Sequence, residues 1–241
     1  MEQAIRTGLA DLGLLEQVPA QAPEQLAEYG RLLLVKNQVM NLTAITDPDQ
    51  VVKLHMLDCA ALLKYAEFSG KRLIDVGTGA GFPGMVLKIL VPSLEVVLLD
   101  SLNKRLDWLG EVASTLGLTG VSTCHARAEE QALQPGWRDS FDLATARAVA
   151  SLELLGELCL PYVKVGGRFL SMKSVDCGEE LQRAESGLRL LGGVLRPHSD
   201  YTIPGTEVTH RVVTVEKVRP TPKGYPRRWT KIQKSPLVNR G

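Results

Sequence analysis

At 241 residues the chain has room for one α/β domain with an extension, but not for two full domains. It is 44% apolar, yet no apolar run approaches the roughly 18 residues of a membrane span, and its first eight residues, Met-Glu-Gln-Ala-Ile-Arg-Thr-Gly, lack the basic start and apolar core of a secretion signal. The formal net charge of +1 is unevenly spread: from Arg211 to Gly241 nine basic residues, Arg240 among them, face one acid, Glu216, so the first 210 residues are acidic.

Residues 2–17 and 23–40 read as helices, the second with Leu26, Leu33 and Val39 among polar positions. Asn41 is placed to close that helix in a left-handed conformation. Asp47-Pro48-Asp49-Gln50 is a strong helix start, predicting a helix through Val51, Leu54 and Leu57 to about Tyr65. Residues 1–68 are thus a helical extension. From Lys71 strands and helices alternate: strand 71–76, helix 83–91, strand 95–100, helix 103–116, strand 120–125, a turn at 127–130, strand 141–146, helix 151–163, strand 168–173 and helix 178–191. Such alternation implies a parallel sheet covered on both faces. A strand near 194–203 and an alternating run over 210–218 have no helix between them, which predicts an antiparallel hairpin at the sheet edge. The expected fold is α/β: a seven-stranded Rossmann-like S-adenosylmethionine-dependent methyltransferase fold over 69–218, with the N-terminal helical extension before it and a basic tail, 219–241, after it.

The stretch Lys71 to Gly84 carries the chemistry. Leu73-Ile74-Asp75-Val76 reads as a buried strand, followed by glycines at 77, 79, 81 and 84 and by Pro83 where a helix can begin. A strand, a glycine turn and a helix N-terminus make a nucleotide-type binding edge. Gly79, Gly81 and Gly84 satisfy the G-x-G-x-x-G string, which supports an NAD-dependent oxidoreductase as one alternative, although the string alone is weak. Two carboxylates favour S-adenosylmethionine. Asp75 ends the first strand, within reach of a ligand ammonium, and Asp100 ends the next apolar run, where it can bind ribose hydroxyls.

Ligands in such sheets bind beyond the carboxyl ends of the strands. The residues there are Gly77 to Phe82, Asp100, Ala128 and Glu129 flanking an adenine, Thr145-Ala146-Arg147-Ala148, and Lys173-Ser174. Arg147 and Lys173 are the candidates bordering the reaction site. Bland readings stand beside them: Phe82 as core, Glu129 as a solvating charge, Lys173 as an edge lysine reaching solvent. Arg147 at a central strand end needs a partner. The site has no [DN]-P-P-[YFW] segment of amino methylation and no cysteine placed for pyrimidine C5 methylation, which suits an acceptor with its own lone pair, such as guanine N7. Cys59, Cys124, Cys159 and Cys177 form no metal-binding spacing, so reduced thiols and no metal are expected. In the tail, Arg227, Arg228, Lys231 and Lys234 interleave with Tyr225 and Trp229, a composition suited to phosphate contacts and base stacking; a non-catalytic RNA-binding or assembly protein is the second alternative.

Several segments occur in one order: Asn41 to Ile45, His55 to Asp58, Leu73 to Gly84, Leu98 to Arg105, Arg127 to Glu130, Ala146 to Leu152 and Tyr225 to Arg228. Together they resemble the RsmG, or glucose-inhibited division protein B, family of bacterial 16S ribosomal RNA guanine-N7 methyltransferases. The resemblance implies S-adenosylmethionine contacts at Gly77, Phe82, Ala128, Glu129 and Arg147, ribose binding by Asp100, and a target guanine in the decoding-region loop of the small-subunit RNA. It also implies a cytoplasmic protein whose partner is 16S ribosomal RNA or the small subunit, with no membrane, and a monomer is expected. The chain departs from the family pattern at Cys59, Ser174, His210-Arg211 and Trp229.

Overall fold

The computed structural model describes residues 1–147 and 149–238, so Ala148 and Arg240 lie outside the described residues. Strands β1 (Arg72–Val76), β2 (Glu95–Asp100), β3 (Val121–His125), β4 (Phe141–Arg147) and β5 (Val163–Ser174) are parallel, and β6 (Gly193–Leu195), β7 (Ser199–Thr202) and β8 (Thr209–Lys217) complete one sheet. The order is β3-β2-β1-β4-β5-β8, with β8 antiparallel to β5 and both β6 and β7 on its outer edge. The single outer strand expected over 194–203 is therefore two short strands. Pro197 sits between them and has no amide hydrogen to give the ladder, and the register slips by one residue across the break.

Side chains alternate between two cores. Leu73, Val96, Leu98 and Leu143 point to one, while Ile74, Val76, Val97, Leu99 and Ala144 point to the other. Burial on both faces is what makes these strands read as continuous apolar runs. Helices α1 (Glu2–Asp11) and α2 (Ala22–Met40) share the first core with α5 (Gly84–Leu90) and α6 (Asn103–Thr115). Between them lie α3 (Pro48–Val51), a π-helical turn (Val52–Leu57), α4 (Asp58–Ala60) and a 3-10 turn (Ala61–Lys64). Asp47 caps α3 by accepting from Gln50 N at 2.9 Å, and Asn41 ends α2 at φ 50°. Residues 1–68 pack into the first core rather than standing apart from the sheet. The second core is covered by α7 (Ala128–Gln131), α8 (Leu152–Cys159), α9 (Gly178–Leu190) and α10 (Trp229–Lys234).

The C-terminal segment is docked, and this alters the expected role of Arg227. Its guanidinium and its amide both bond to the fully buried Glu157 of α8, at 2.6 Å for Nη2 to Oε2. Arg138 donates to the carbonyls of Thr221, Pro222 and Tyr225, and Ile232 is fully buried. Arg227 is thus a structural anchor, because a carboxylate without solvent requires its partner, and with 12% of its side chain exposed little of it is left for the RNA contact expected of it. Arg228, Lys231 and Lys234 are exposed. Removing one partner of a buried pair costs roughly 3–5 kcal/mol. Glu157→Ala is therefore expected to lower the unfolding free energy by about that amount and to open residues 219–238 to protease before the sheet. Denaturant titration and timed proteolysis check this, and a tail that stays protected would assign its docking to Arg138 and Ile232 alone.

Candidate active site

The glycine turn is built over Asp75. Its carboxylate is fully buried and accepts from Thr78 Oγ1 at 2.7 Å, Gly84 N at 2.9 Å and Thr145 Oγ1 at 3.2 Å. It does not line the cavity above the turn. The expected contact between Asp75 and a ligand ammonium is therefore corrected: the carboxylate faces inward and holds the turn to α5 and β4. Burial is the main influence on it, lifting its pKa from 3.8 to about 6 against the hydrogen bonds that favour the charged form. Gly77 and Thr78 donate their amides to Leu99 O, which bends the chain sharply after β1. Gly77 has φ 70°, and a Cβ there would lie 2.8 Å from a Val149 methyl. Gly79 has φ 57° with nothing nearer its missing Cβ than Gly77 O at 3.9 Å, so the turn presents open space there.

A cavity of about 940 Å³ opens beyond the strand ends. One half is walled by Gly77 to Ala80, Asp100, Ser101, Arg105 and Ala126 to Glu129. Asp100 is almost fully buried; one oxygen accepts from Gly79 N and the other from Leu102 N, both at 2.9 Å, with Arg105 at 3.7 Å. Each oxygen keeps a further lone pair for a ligand hydroxyl. The Ala128 carbonyl is held by Tyr162 Oη at 2.6 Å. Phe82 is both core and wall: it is nearly buried, lines the cavity, stacks on His55 with centroids 4.6 Å apart, and has the Arg147 guanidinium 5.0 Å from its ring centre.

The other half depends on the helical extension. Arg147, at the end of β4, donates to Leu54 O at 3.1 Å, to Asp58 Oδ2 at 3.3 Å and to His55 Nδ1 at 3.0 Å. His55 Nε2 meets Thr43 Oγ1 at 2.8 Å. Burial, and then the Arg147 charge, push the His55 pKa down from 6.5 to about 4, so the ring is neutral near pH 7. Asp58 is buried and accepts from Tyr201 Oη at 2.6 Å and from His210 Nδ1 at 2.8 Å as well as from Arg147. That hydrogen bond holds the His210 pKa above its usual value.

Lys173 lines the cavity, but its ammonium is engaged by Ala150 O at 2.9 Å and Glu180 Oε1 at 2.7 Å. Glu180 also accepts from Leu152 N, so Lys173 pins the loop after β4 and is not a free cation at the reaction site. The structure thus brings Gly77, Gly79, Phe82, Asp100, Ala128, Glu129, Arg147 and Lys173 to one cavity, leaves Asp75 beneath it, and keeps Arg227 on α8. Sequence reading gave no role to Thr43, His55, Asp58, Tyr201 or His210. The three-residue spacing of His55 and Asp58 on a helix, facing a charge at a strand end, was the available signal. Trp229 lines the cavity while packing on the second core.

Residues 22–197 match the family model described as rRNA small subunit methyltransferase G. The chain is 45% identical over 234 residues to the ribosomal RNA small subunit methyltransferase G of Lachnoclostridium phytofermentans, covering 97% of this chain and 96% of that protein. It is 46% identical over 210 residues to the protein of the same description from Clostridium perfringens strain 13, covering 87% and 88%. Among solved structures it is similar to a SAM-dependent O-methyltransferase from Thermotoga maritima, with a TM-score of 0.52 and 17% identity over 79% of this chain and 73% of that one, a likeness of fold. No helix among the described residues is long and apolar enough to cross a membrane.

The pKa directions fix a pH dependence. The folded state holds the His55 proton less tightly than the unfolded chain, so its contribution to stability is lost as pH falls from 6.5 toward 4. Asp75 acts oppositely, since its raised pKa makes the fold gain stability as pH falls from about 6 toward 3.8. His55→Asn is expected to shrink the stability lost between pH 7.5 and 4.5 by roughly 2 kcal/mol. Urea denaturation at both pH values checks this, and an unchanged loss would show that His55 does not govern the acid limb.

Proposed function

The chain belongs to the rRNA small subunit methyltransferase G family, and from that premise we propose that it transfers the methyl group of S-adenosylmethionine to N7 of a guanine in the decoding-region loop of 16S ribosomal RNA. The observation that carries the reading is the division of one cavity into two chemically distinct halves. The strand-tip half fits the donor. Gly79 leaves the turn open to a ligand, Asp100 keeps a free lone pair on each oxygen for a ribose diol, and Ala128 and Glu129 border the place of the adenine. When bound, the donor supplies an electrophilic methyl group on a sulfonium. Everything else is left to the protein.

The protein's part is positioning. Phe82 and His55 form an aromatic wall, and Arg147 braces that wall through three hydrogen bonds to the helical extension. Guanine N7 carries a lone pair and has no proton to lose, so alignment and exclusion of water suffice, and such alignment supplies up to roughly 7–11 kcal/mol. The thiols agree with this economy: burial raises the pKa of both Cys59 and Cys159, which keeps them protonated and unfit as nucleophiles. The exposed Arg228, Lys231 and Lys234 lie on the segment that carries Trp229 to the cavity, and they are assigned to RNA phosphates. The protein acts as a cytoplasmic monomer on the RNA or the small subunit.

Two measurements test the halves separately. Asp100→Asn is expected to raise the S-adenosylmethionine dissociation constant roughly tenfold to a hundredfold, the loss of a charge-assisted hydrogen bond; unchanged calorimetric affinity would remove Asp100 from the donor site. Arg228→Ala with Lys231→Ala should weaken RNA binding and lower the slope of log affinity against log salt by roughly 0.7–0.9 per residue, leaving cofactor affinity alone. An unchanged slope would assign the phosphate contacts elsewhere. Mapping the labelled base in 16S RNA and in 30S particles tests the reaction itself.

A further inference from the structure

We propose that His210, held by the Asp58 carboxylate, accepts a hydrogen bond from the N1–H of the acceptor guanine through Nε2, and so strengthens N7 as a nucleophile. The inference rests on the guanine-N7 reading above. Most of the charged and imidazole groups in the acceptor half of the cavity are already engaged. Arg147 is spent on Leu54, Asp58 and His55, and Lys173 on Ala150 and Glu180. Both His55 nitrogens are bonded. His210 lines the same cavity and has an acceptor left: Nδ1 is on Asp58, and Nε2 has no hydrogen-bond partner among the described residues, whereas the Trp229 indole on the same wall can only donate.

The tautomer follows from the partner. A carboxylate receiving bonds from Arg147, Tyr201 and His210 only accepts, so the proton must sit on Nδ1, and in the neutral ring the lone pair sits on Nε2. The ring is steadied edge-on by Tyr201, with centroids 6.3 Å apart, and by pairing of its strand with Ser174 at the end of β5. The charged and titratable groups facing it are Asp58 from α4, Arg147 from β4 and Tyr201 from β7.

The transfer forms a bond from N7 to the methyl carbon and breaks the carbon–sulfur bond, whose electron pair stays on sulfur. Positive charge passes to the purine and no proton leaves in that step. The N1–H becomes more acidic as the charge arrives, so an acceptor there binds more strongly in the transition state than in the ground state. An imidazolium donating to O6 would instead set a positive charge against a purine gaining one. The acceptor role also selects guanine over adenine, whose N1 carries no hydrogen. Asp58 is the positioning residue and His210 the group that touches the base.

The test uses the full chain with unmodified 16S ribosomal RNA, free and in 30S subunits. Single-turnover methylation by the parent should fall tenfold per pH unit below the His210 pKa. His210→Gln, which keeps an acceptor oxygen but cannot titrate, should flatten that limb; His210→Ala should be slower by roughly tenfold to a hundredfold. Calorimetric affinity for S-adenosylmethionine should be the same in all three, which also verifies folding. The Asp75 titration near pH 6 is common to them and drops out of the comparison. In a binding assay with S-adenosylhomocysteine, the parent should bind RNA with 1-methylguanosine at the target about tenfold more weakly than unmodified RNA, and His210→Ala should not distinguish them. Equal rates and pH profiles for parent and variants, or discrimination that survives in His210→Ala, would overturn the inference while N7 methylation stands. A labelled base other than guanine, or a methyl elsewhere on it, would overturn both readings at once.

Discussion

The Asp58 carboxylate is the point at which four parts of the chain are tied together. It lies in the helical extension, is almost fully buried, and receives bonds from the end of β4 through Arg147, from β7 through Tyr201 and from β8 through His210. A buried carboxylate without donors is expensive, and removing Arg147 would leave its charge without a permanent counter-charge. The energetics therefore favour one arrangement in which the extension walls the cavity. The π-helical turn just before Asp58 serves the same end, since its widened backbone brings Leu54 O and His55 to Arg147 together with Asp58.

Asp75 plays the matching part beneath the glycine turn. It binds Thr78, the first amide of α5 and Thr145 of β4, so the turn is fixed before any ligand arrives. A preformed pocket spends less of its binding free energy on ordering the loop. The cost is visible in its raised pKa, and the lowered pKa of His55 offsets it across the same acidic interval. Two buried groups of opposite charge type thus leave the fold less sensitive to mild acid than either would alone.

The repeating part of the fold was legible because both sheet faces are buried and each strand ends in turn-forming residues. Leu73 to Asp75 and Val96 to Asp100 read as strands for that reason, and Asp47 and Asn41 announced helix ends through backbone geometry that few residues satisfy. The glycine turn and Asp100 were legible as a binding edge because their spacing is local. What spacing could not convey was orientation. Asp75, next to last in β1, and Asp100, last in β2, both stand at the carboxyl ends of apolar strands, yet one lies under the turn and the other beside the cavity. Contacts such as Asp58 to His210 and Arg227 to Glu157 join residues 152 and 70 positions apart, and no local pattern marks them.

The basic C-terminal segment shows how charge counts divide once burial is known. A run of cations reads as a polyanion-binding surface only if the cations are free, and here Arg227 is consumed by Glu157 while Lys217 is consumed by Asp139 and two carbonyls. Lys217 is fully buried and Arg227 is neutralised by a buried carboxylate, so both contribute little field outside the protein. Lys217 ties β8 to the start of β5, and Arg227 fixes the segment, so that Arg228, Lys231 and Lys234 lie on or beside a short helix seated on the second core by Ile232. Because Trp229, on that same helix, lines the cavity, the exposed cations beside it are held at a fixed place relative to the cavity. Paired cations set the geometry, and the unpaired ones are left at the surface.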